Sequence, residues 1–455
     1  MGRSRNGTIL RTAWVWLFLG FALRAHASDW PQLQNGPQRL GYAADKIDAP
    51  FKNAWARGFS PERLHPQAQP VVADGRLFIG TEMANFYALD AKTGKQLWQH
   101  TAGGPILHTA GIAGGKVFYG CLDGTVQALN AADGTPAWKF ESGLRTGFST
   151  AVLLAEGNVF IANRGGRYYA LSQKDGSVVW QRDLGVPVLM SSACDKGKVF
   201  FGAMDMRVYA LDSKSGNVLW QSDPLPGAAF KDYCPVVYKD VLLVRPMKVS
   251  GGAGGPAIEW FSGPLPESEF AKQDALLKTF EKQPASKNLF VLDPNTGKEA
   301  FVVPHWVTDT MNGATCPPCT DAAGLLIVPV TLHDWRGGWG RLDLDKRRVV
   351  EVLAEEKMDP KKTYKRGTGN SDENLCVSAA GQLVFTIHTE EGNAHFTGAW
   401  HLGRREWTPI APYHADQSFS SNTQGGGGTA FVIADGMLFH TSWNTLNART
   451  TTPAP

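Results

Sequence analysis

The 455-residue chain holds 45 Lys and Arg against 42 Asp and Glu, a formal charge of +3. Four of those bases, Arg3, Arg5, Arg11 and Arg24, fall in the first 27 residues, which contain no acid, so the remainder carries 41 basic against 42 acidic residues. That balance excludes a global attraction for nucleic acid or an anionic membrane, while the plentiful Gly (50), Trp (15) and Phe (23) suit a turn-rich, all-β chain.

Residues 1–27 have the three parts of a secretory signal: a basic start, an apolar run from Ala13 to Leu23, and Ala25-His26-Ala27 as a small-residue cleavage site. The apolar run is short for a bilayer span; an uncleaved interfacial anchor is the alternative. No cysteine sits near the cleavage point to accept a lipid, and no later stretch reads as transmembrane. The expected location is periplasmic or extracellular. The expected division is a signal over 1–27, one domain over 28–447 and a disordered tail over 448–455.

Four similar sentences follow. "YALDAKTGKQLW" ends at Trp98, "VQALNAADGTPAW" at Trp138, "YYALSQKDGSVVW" at Trp180 and "VYALDSKSGNVLW" at Trp220. Each is preceded by two apolar runs around a short turn: "VVADGRLFIG", "GIAGGKVFYG", "VLLAEGNVFIA" and "ACDKGKVFFG". Two-residue turns of this type join antiparallel strands. Gly94, Gly134, Gly176 and Gly216 stand in a second turn, where a left-handed backbone penalises residues with a side chain. Trp98, Trp138, Trp180 and Trp220 each need a flat apolar slot, which the neighbouring repeat supplies. Four antiparallel strands in about 40 residues, stacked on like units, make a propeller blade.

The later units are degraded. "LFVLDPNTGKEAFVV" keeps Asp293 and Gly297 but loses the Trp; "GRLDLDKRRVVEVL" and "GAWHLGRREWTPI" carry the last strands of two more. The final unit, "GTAFVIADGMLFHTSW", lacks its end, and "PFKNAWARG" around Trp55 reads as an orphan fourth strand. Pairing the two closes the ring, removes its edges and predicts an eight-bladed β-propeller closed by an N-terminal strand.

These runs resemble the quinoprotein-type, tryptophan-docking repeat, A-x-D-x-x-T-G-x-x-x-W, which Ala88 to Trp98 matches at every fixed position. "SDWPQLQNG" is similar to the way such secreted propellers begin. The resemblance implies eight blades. It leaves function open, because the motif serves packing and occurs both in quinone-dependent dehydrogenases and in a non-catalytic propeller of outer-membrane barrel assembly.

Blade topology puts the tight first-to-second and third-to-fourth turns on one face. The blade-to-blade links and second-to-third loops share the other, variable face, the usual place for binding. Blade 5 carries one loop-helix insertion, residues 247–287, in which "ESEFAKQDALLKTFEK" reads as an amphipathic helix with Phe270, Leu277 and Phe280 on one side. It is expected to pack over its own blade; a lid or docking helix is the alternative.

Aligned on the first turn, Cys194, Cys234, Cys319 and Cys376 fall on the first strands of blades 4 to 7, with Cys316 just ahead of Cys319 in "CPPC". These five share one sector of the channel, and Cys121 lies apart at the end of a second strand. Export makes one or two structural disulfides the leading reading. Buried thiols, a redox pair or a Cys-ligated metal are the alternatives, and spacing does not assign the pairing.

Other candidates are bland. "HDWRGGW" (His333 to Trp339) and "HTEEGNAH" (His388 to His395) read as polar loops, "KMDPKKTYKR" as a charged loop and "QGGGG" (Gln424 to Gly428) as a blade junction. At the channel mouth, Asp372, Glu373 and Asn374 offer oxygen ligands, and His333 and Trp335 lie on the same face.

Two functions compete. The first is an exported, non-catalytic, monomeric propeller that needs no cofactor and binds protein, peptide or glycan through its variable face. The second, implied by the resemblance, is an alcohol or sugar dehydrogenase dependent on pyrroloquinoline quinone and calcium. That enzyme needs hard oxygen ligands for its cation and a carboxylate base. Against it, the chain lacks the adjacent Cys-Cys pair that roofs the quinone slot in the alcohol-oxidising relatives, and it is short for that class. No Ser-His-Asp order, H-E-x-x-H or paired carboxylates point to a hydrolase.

Overall fold

The computed structural model describes residues 28–247, 263–305, 316–331, 337–353, 375–390, 394–410, 430–441 and 444–451. They form eight sheets arranged as the blades of an all-β propeller. Blade 1 is typical: Val71–Ala73, Arg76–Gly80, Asn85–Asp90 and Gln96–Thr101 pair in chain order, each antiparallel to the next. Its first turn, Asp74-Gly75, has positive φ at both residues, the mirror-image turn that fits the twist of a two-residue hairpin. First strands lie side by side from blade 1 to blade 5 and again from blade 6 through blades 7 and 8 to blade 1.

The ring closes as expected. Phe51–Gly58 pairs antiparallel with Thr445–Thr451, as the outer strand of the sheet that contains Phe431–Ala434 and Met437–Thr441. That last strand runs to Thr451, so the boundary drawn at 447 is too early. Ala448, Arg449 and Thr450 are held in register by both neighbours.

The insertion differs from expectation. Helix α1 (Glu267–Lys282) packs beside Val302 at the end of its own blade through Leu276 and Phe280, and also reaches the next blade. Gly263–Pro264 adds a fifth strand to the outer edge of blade 6, pairing with Arg348–Leu353. Gln273 then reads the same edge: its Nε2 donates to Val349 O (2.8 Å) and its Oε1 accepts from Val349 N (3.1 Å). The buried line of α1 is Glu269, Gln273, Leu276 and Phe280. An outer strand with unpaired backbone groups is what attracts this cover.

Residues 30–43 form an unexpected inner element. Trp30 exchanges backbone hydrogen bonds with Val72 of blade 1, and Pro31 O accepts from Ile112 N of blade 2. The Gln32 amide pairs with Leu154 N and O of blade 3. Pro37, Gln38, Leu40 and Gly41 carbonyls then accept from Cys194, Val237, Thr320 and Ser378, one in each of blades 4 to 7. Gln69 completes the circuit, accepting from Trp30 Nε1 and Gln34 N while donating to Gln34 Oε1 and to Phe431 O of blade 8. One short segment thus touches blades 1 to 7 near the tight-turn face, and blade 8 through Gln69. Arg39 is fully buried within it and donates to the Ser192, Leu33 and Val152 carbonyls.

Candidate binding face

On the variable face, the loops of blades 1 to 4 are stitched to one another by a repeated backbone bond. Leu122 N donates to Pro105 O, Arg164 N to Gly147 O and Met204 N to Pro187 O, each at 3.0 Å. Glycine permits the contact: a Cβ on Gly147 would lie 2.2 Å from Leu122 O. The loops are therefore preformed.

Above this stitching lie Met83, 56% exposed, half-buried Leu144, Leu184, Val186, Met204 and Met206, and two exposed arginines. Arg145 and Arg164 are brought together by the Arg164–Gly147 bond, and neither makes an ion pair or side-chain hydrogen bond among the described residues. The nearby Arg167 is different, being paired with Asp183 at 3.1 Å.

Beneath, the links of four blades converge. His108 accepts from Thr109 N at Nδ1 (2.9 Å), which leaves Nε2–H to donate to Asp232 O (2.9 Å), with Ser191 Oγ at 3.2 Å. Ser191 Oγ in turn accepts from Ala151 N. Burial pulls His108 down to about 3, so it is neutral. It bridges blade 2 to blade 5 and has no free lone pair to act as a base.

The expected oxygen ligands Asp372, Glu373 and Asn374, together with His333 and Trp335, lie outside the described residues, as do 357–366 and 424–428. His388 and His395 lie in paired strands that flank three undescribed residues. Among the described residues no three His, Cys, Asp or Glu side chains form a metal-binding group. The polar groups where the four links converge are paired with one another.

All six cysteines are buried, and no two sulfurs lie at bonding distance. Arg39 lies near Cys194 and Cys234, whose thiols burial pushes up to about 12. Cys316, Cys319 and Cys376 form a separate cluster with Trp339 and Trp400 between blades 6 and 7.

Comparison with known proteins follows this division of the ring. Residues 47–153 and 122–246 match the family model described as outer membrane protein assembly factor BamB. The chain carries the quinoprotein-type propeller repeat. Relatives of that repeat include a quinoprotein ethanol dehydrogenase of Pseudomonas aeruginosa, 34% identical over 133 residues, which are 27% of this chain and 20% of that protein. BamB of Xanthomonas campestris is 33% identical over 102 residues, 19% of this chain and 24% of that protein. The matched segments thus span about a fifth to a quarter of these relatives' length. Among solved structures, BamB from Moraxella catarrhalis aligns over 88% of this chain and all of its own, with TM-score 0.51 and 17% identity. Quinohemoprotein alcohol dehydrogenase from Comamonas testosteroni aligns over 94% of this chain and 81% of its own, with TM-score 0.60 and 13% identity. These likenesses establish the eight-bladed fold.

The repeat was legible because its motif residues each have a local task. Gln32, Gln34, Gln38 and Arg39 were missed, although amide side chains set between Pro31 and Gly41 suit bonding to strand backbones.

Proposed function

We propose that this chain is an exported, non-catalytic propeller that binds an extended protein or peptide segment through the variable face of blades 1 to 4. The observation that carries it is the juxtaposition of Arg145 and Arg164, both without partners among the described residues, on stitched loops beside half-buried aliphatic side chains. Preformed loops lower the ordering cost of binding. Unpaired arginines favour carboxylates, which they grip in a bidentate way. The exposed large hydrophobic residues on the described surface are Met, Leu and Val, none aromatic. That favours an aliphatic, acidic peptide over a glycan, for which stacking rings would be expected. The location would be periplasmic or extracellular, and no described helix is long and apolar enough to cross a membrane.

The competing reading, a dehydrogenase using pyrroloquinoline quinone and calcium, has the repeat's likeness to the Pseudomonas aeruginosa enzyme in its favour. The lack of an adjacent Cys-Cys pair counts against it.

One experiment separates the two. The mature chain is panned against a displayed random-peptide library and, in parallel, titrated with the quinone and calcium in an alcohol-dependent dye-reduction assay. The proposal expects enriched acidic-aliphatic peptides whose binding falls at least tenfold in an Arg145→Glu, Arg164→Glu double variant. Saturable quinone binding with turnover would replace it with the enzyme.

A further inference from the structure

The quinoprotein-type lock fails on one side of the ring, and a pair of cysteines stands where it fails. In the first half, Trp55, Trp98, Trp138, Trp180 and Trp220 each lie on the turn glycine of the next blade: Gly94, Gly134, Gly176, Gly216 and Gly297. At the next junction Phe301 replaces the Trp and Arg347 the Gly, with the guanidinium 4.4 Å from the ring centre. Between blades 6 and 7, Glu351 faces Arg405 at 3.8 Å instead. Both substitutes are weaker than a buried indole wedge.

On the inner strands of those same blades, Cys319 Sγ and Cys376 Sγ lie 3.4 Å apart, both fully buried. Ser378 Oγ, two residues beyond Cys376, donates to Thr320 O, one beyond Cys319, so the two backbones are already held side by side. The N-terminal segment crosses directly over the pair, where a Cβ on Gly41 would lie 2.8 Å from Cys319 Cβ. We infer that Cys319 and Cys376 form a disulfide that staples blade 6 to blade 7 and takes the place of the missing tryptophan dock. This inference goes beyond the proposed function and does not depend on it.

A disulfide holds its sulfurs about 2.05 Å apart, and here they already lie in contact at 3.4 Å. In the reaction the two thiols give up two protons and two electrons, and a disulfide-bearing oxidant is reduced to two thiols. One thiolate attacks the oxidant, and the second displaces it from the mixed disulfide. Burial holds Cys376 well above the ordinary thiol range. Exchange therefore takes place before Leu40 and Gly41 are laid over the pair, and the finished bond is shielded from reductant. Cys316, in the same cluster, donates its S–H to Pro317 O.

The test is disulfide mapping of the mature chain after refolding with oxidised and reduced glutathione. The protein is denatured in iodoacetamide without reductant, weighed, and digested for mass spectrometry. Four alkylated cysteines of the six and a Cys319–Cys376 linked peptide are expected. Six alkylated cysteines, or a linkage that uses Cys316, would overturn the inference. A stability readout guards against misleading variants. Cys319→Ala, Cys376→Ala and the double variant should share one lowered Tm, which the wild type reaches only when reduced. Cys316→Ala should retain the link; separate, additive losses would mean packing rather than a bond.

Discussion

Trp138 shows what one motif residue does. Its ring covers Gly176, at which a Cβ would come within 2.6 Å of the indole, and its Nε1 donates to Gln173 O at 3.2 Å. The turn glycine thus has two reasons to be glycine, a φ of +73° and the neighbour's ring. The fixed Asp and Thr of the motif also have a job: Asp90 Oδ1 accepts from Thr93 N and Oγ1, pinning the turn that presents the glycine. Blade 2 reaches the same end with Asp133 and Thr135. Trp138→Ala should cost about 3–5 kcal/mol in equilibrium denaturation, as for a buried aromatic truncation. Arg347→Ala, which removes only the cation–π contact, should cost about 0.5–1 kcal/mol. Equal losses from the two would mean that the first half of the ring is not locked by its tryptophans.

At the scale of elements, α1 exchanges water for protein partners along an edge strand. Gln273 satisfies both polar groups of Val349 and Asp274 pairs with Arg348, while Leu276 and Phe280 pack with Val302 at the end of blade 5. The sequence pattern marked the helix but placed its apolar side on Phe270, Leu277 and Phe280. Phe270 and Leu277 are only partly buried, and the centre of the buried line is a glutamine. Hydrophobic periodicity is blind to an amide whose task is to complete a sheet edge. Gln273→Ala should therefore raise amide hydrogen exchange along Arg348–Leu353 and leave blades 1 to 4 unchanged. Undisturbed protection at Val349 would show that the helix merely rests on the blade.

For the whole molecule, two enclosures matter: the outer strand Phe51–Gly58 closes the ring, and residues 30–43 tie its inner strands together. Arg39→Met removes a buried guanidinium and strands the Ser192, Leu33 and Val152 carbonyls. It should lower stability by about 1–3 kcal/mol or more, the penalty for unsatisfied buried groups. Acid sensitivity has its own source. His108 and His440 are both held near 3 by burial, far below their unfolded value. The unfolded chain takes up protons first, so the stability is fully present above about pH 6.5 and is lost as the pH falls toward 3. The slope is up to about 1.4 kcal/mol per pH unit for each histidine. His108→Gln should flatten the fall of Tm between pH 7 and 4, and an unchanged slope would show that the neutral His108 does not contribute.

The amino-acid sequence alone determined the blade, the count of eight and the borrowed closing strand. Each rests on short-range rules: alternation, left-handed turns and a wedge at fixed distance from its glycine. The tertiary structure alone decided that α1 crosses to blade 6 and that Gln32 to Gly41 visit blade after blade. It also decided that Cys319 meets Cys376 and that the loop of Arg164 is bonded to the loop of Arg145. These contacts are made to backbone groups, or between residues brought together only by ring closure. A backbone carbonyl looks the same in every residue, so no local pattern records which distant side chain or strand will find it.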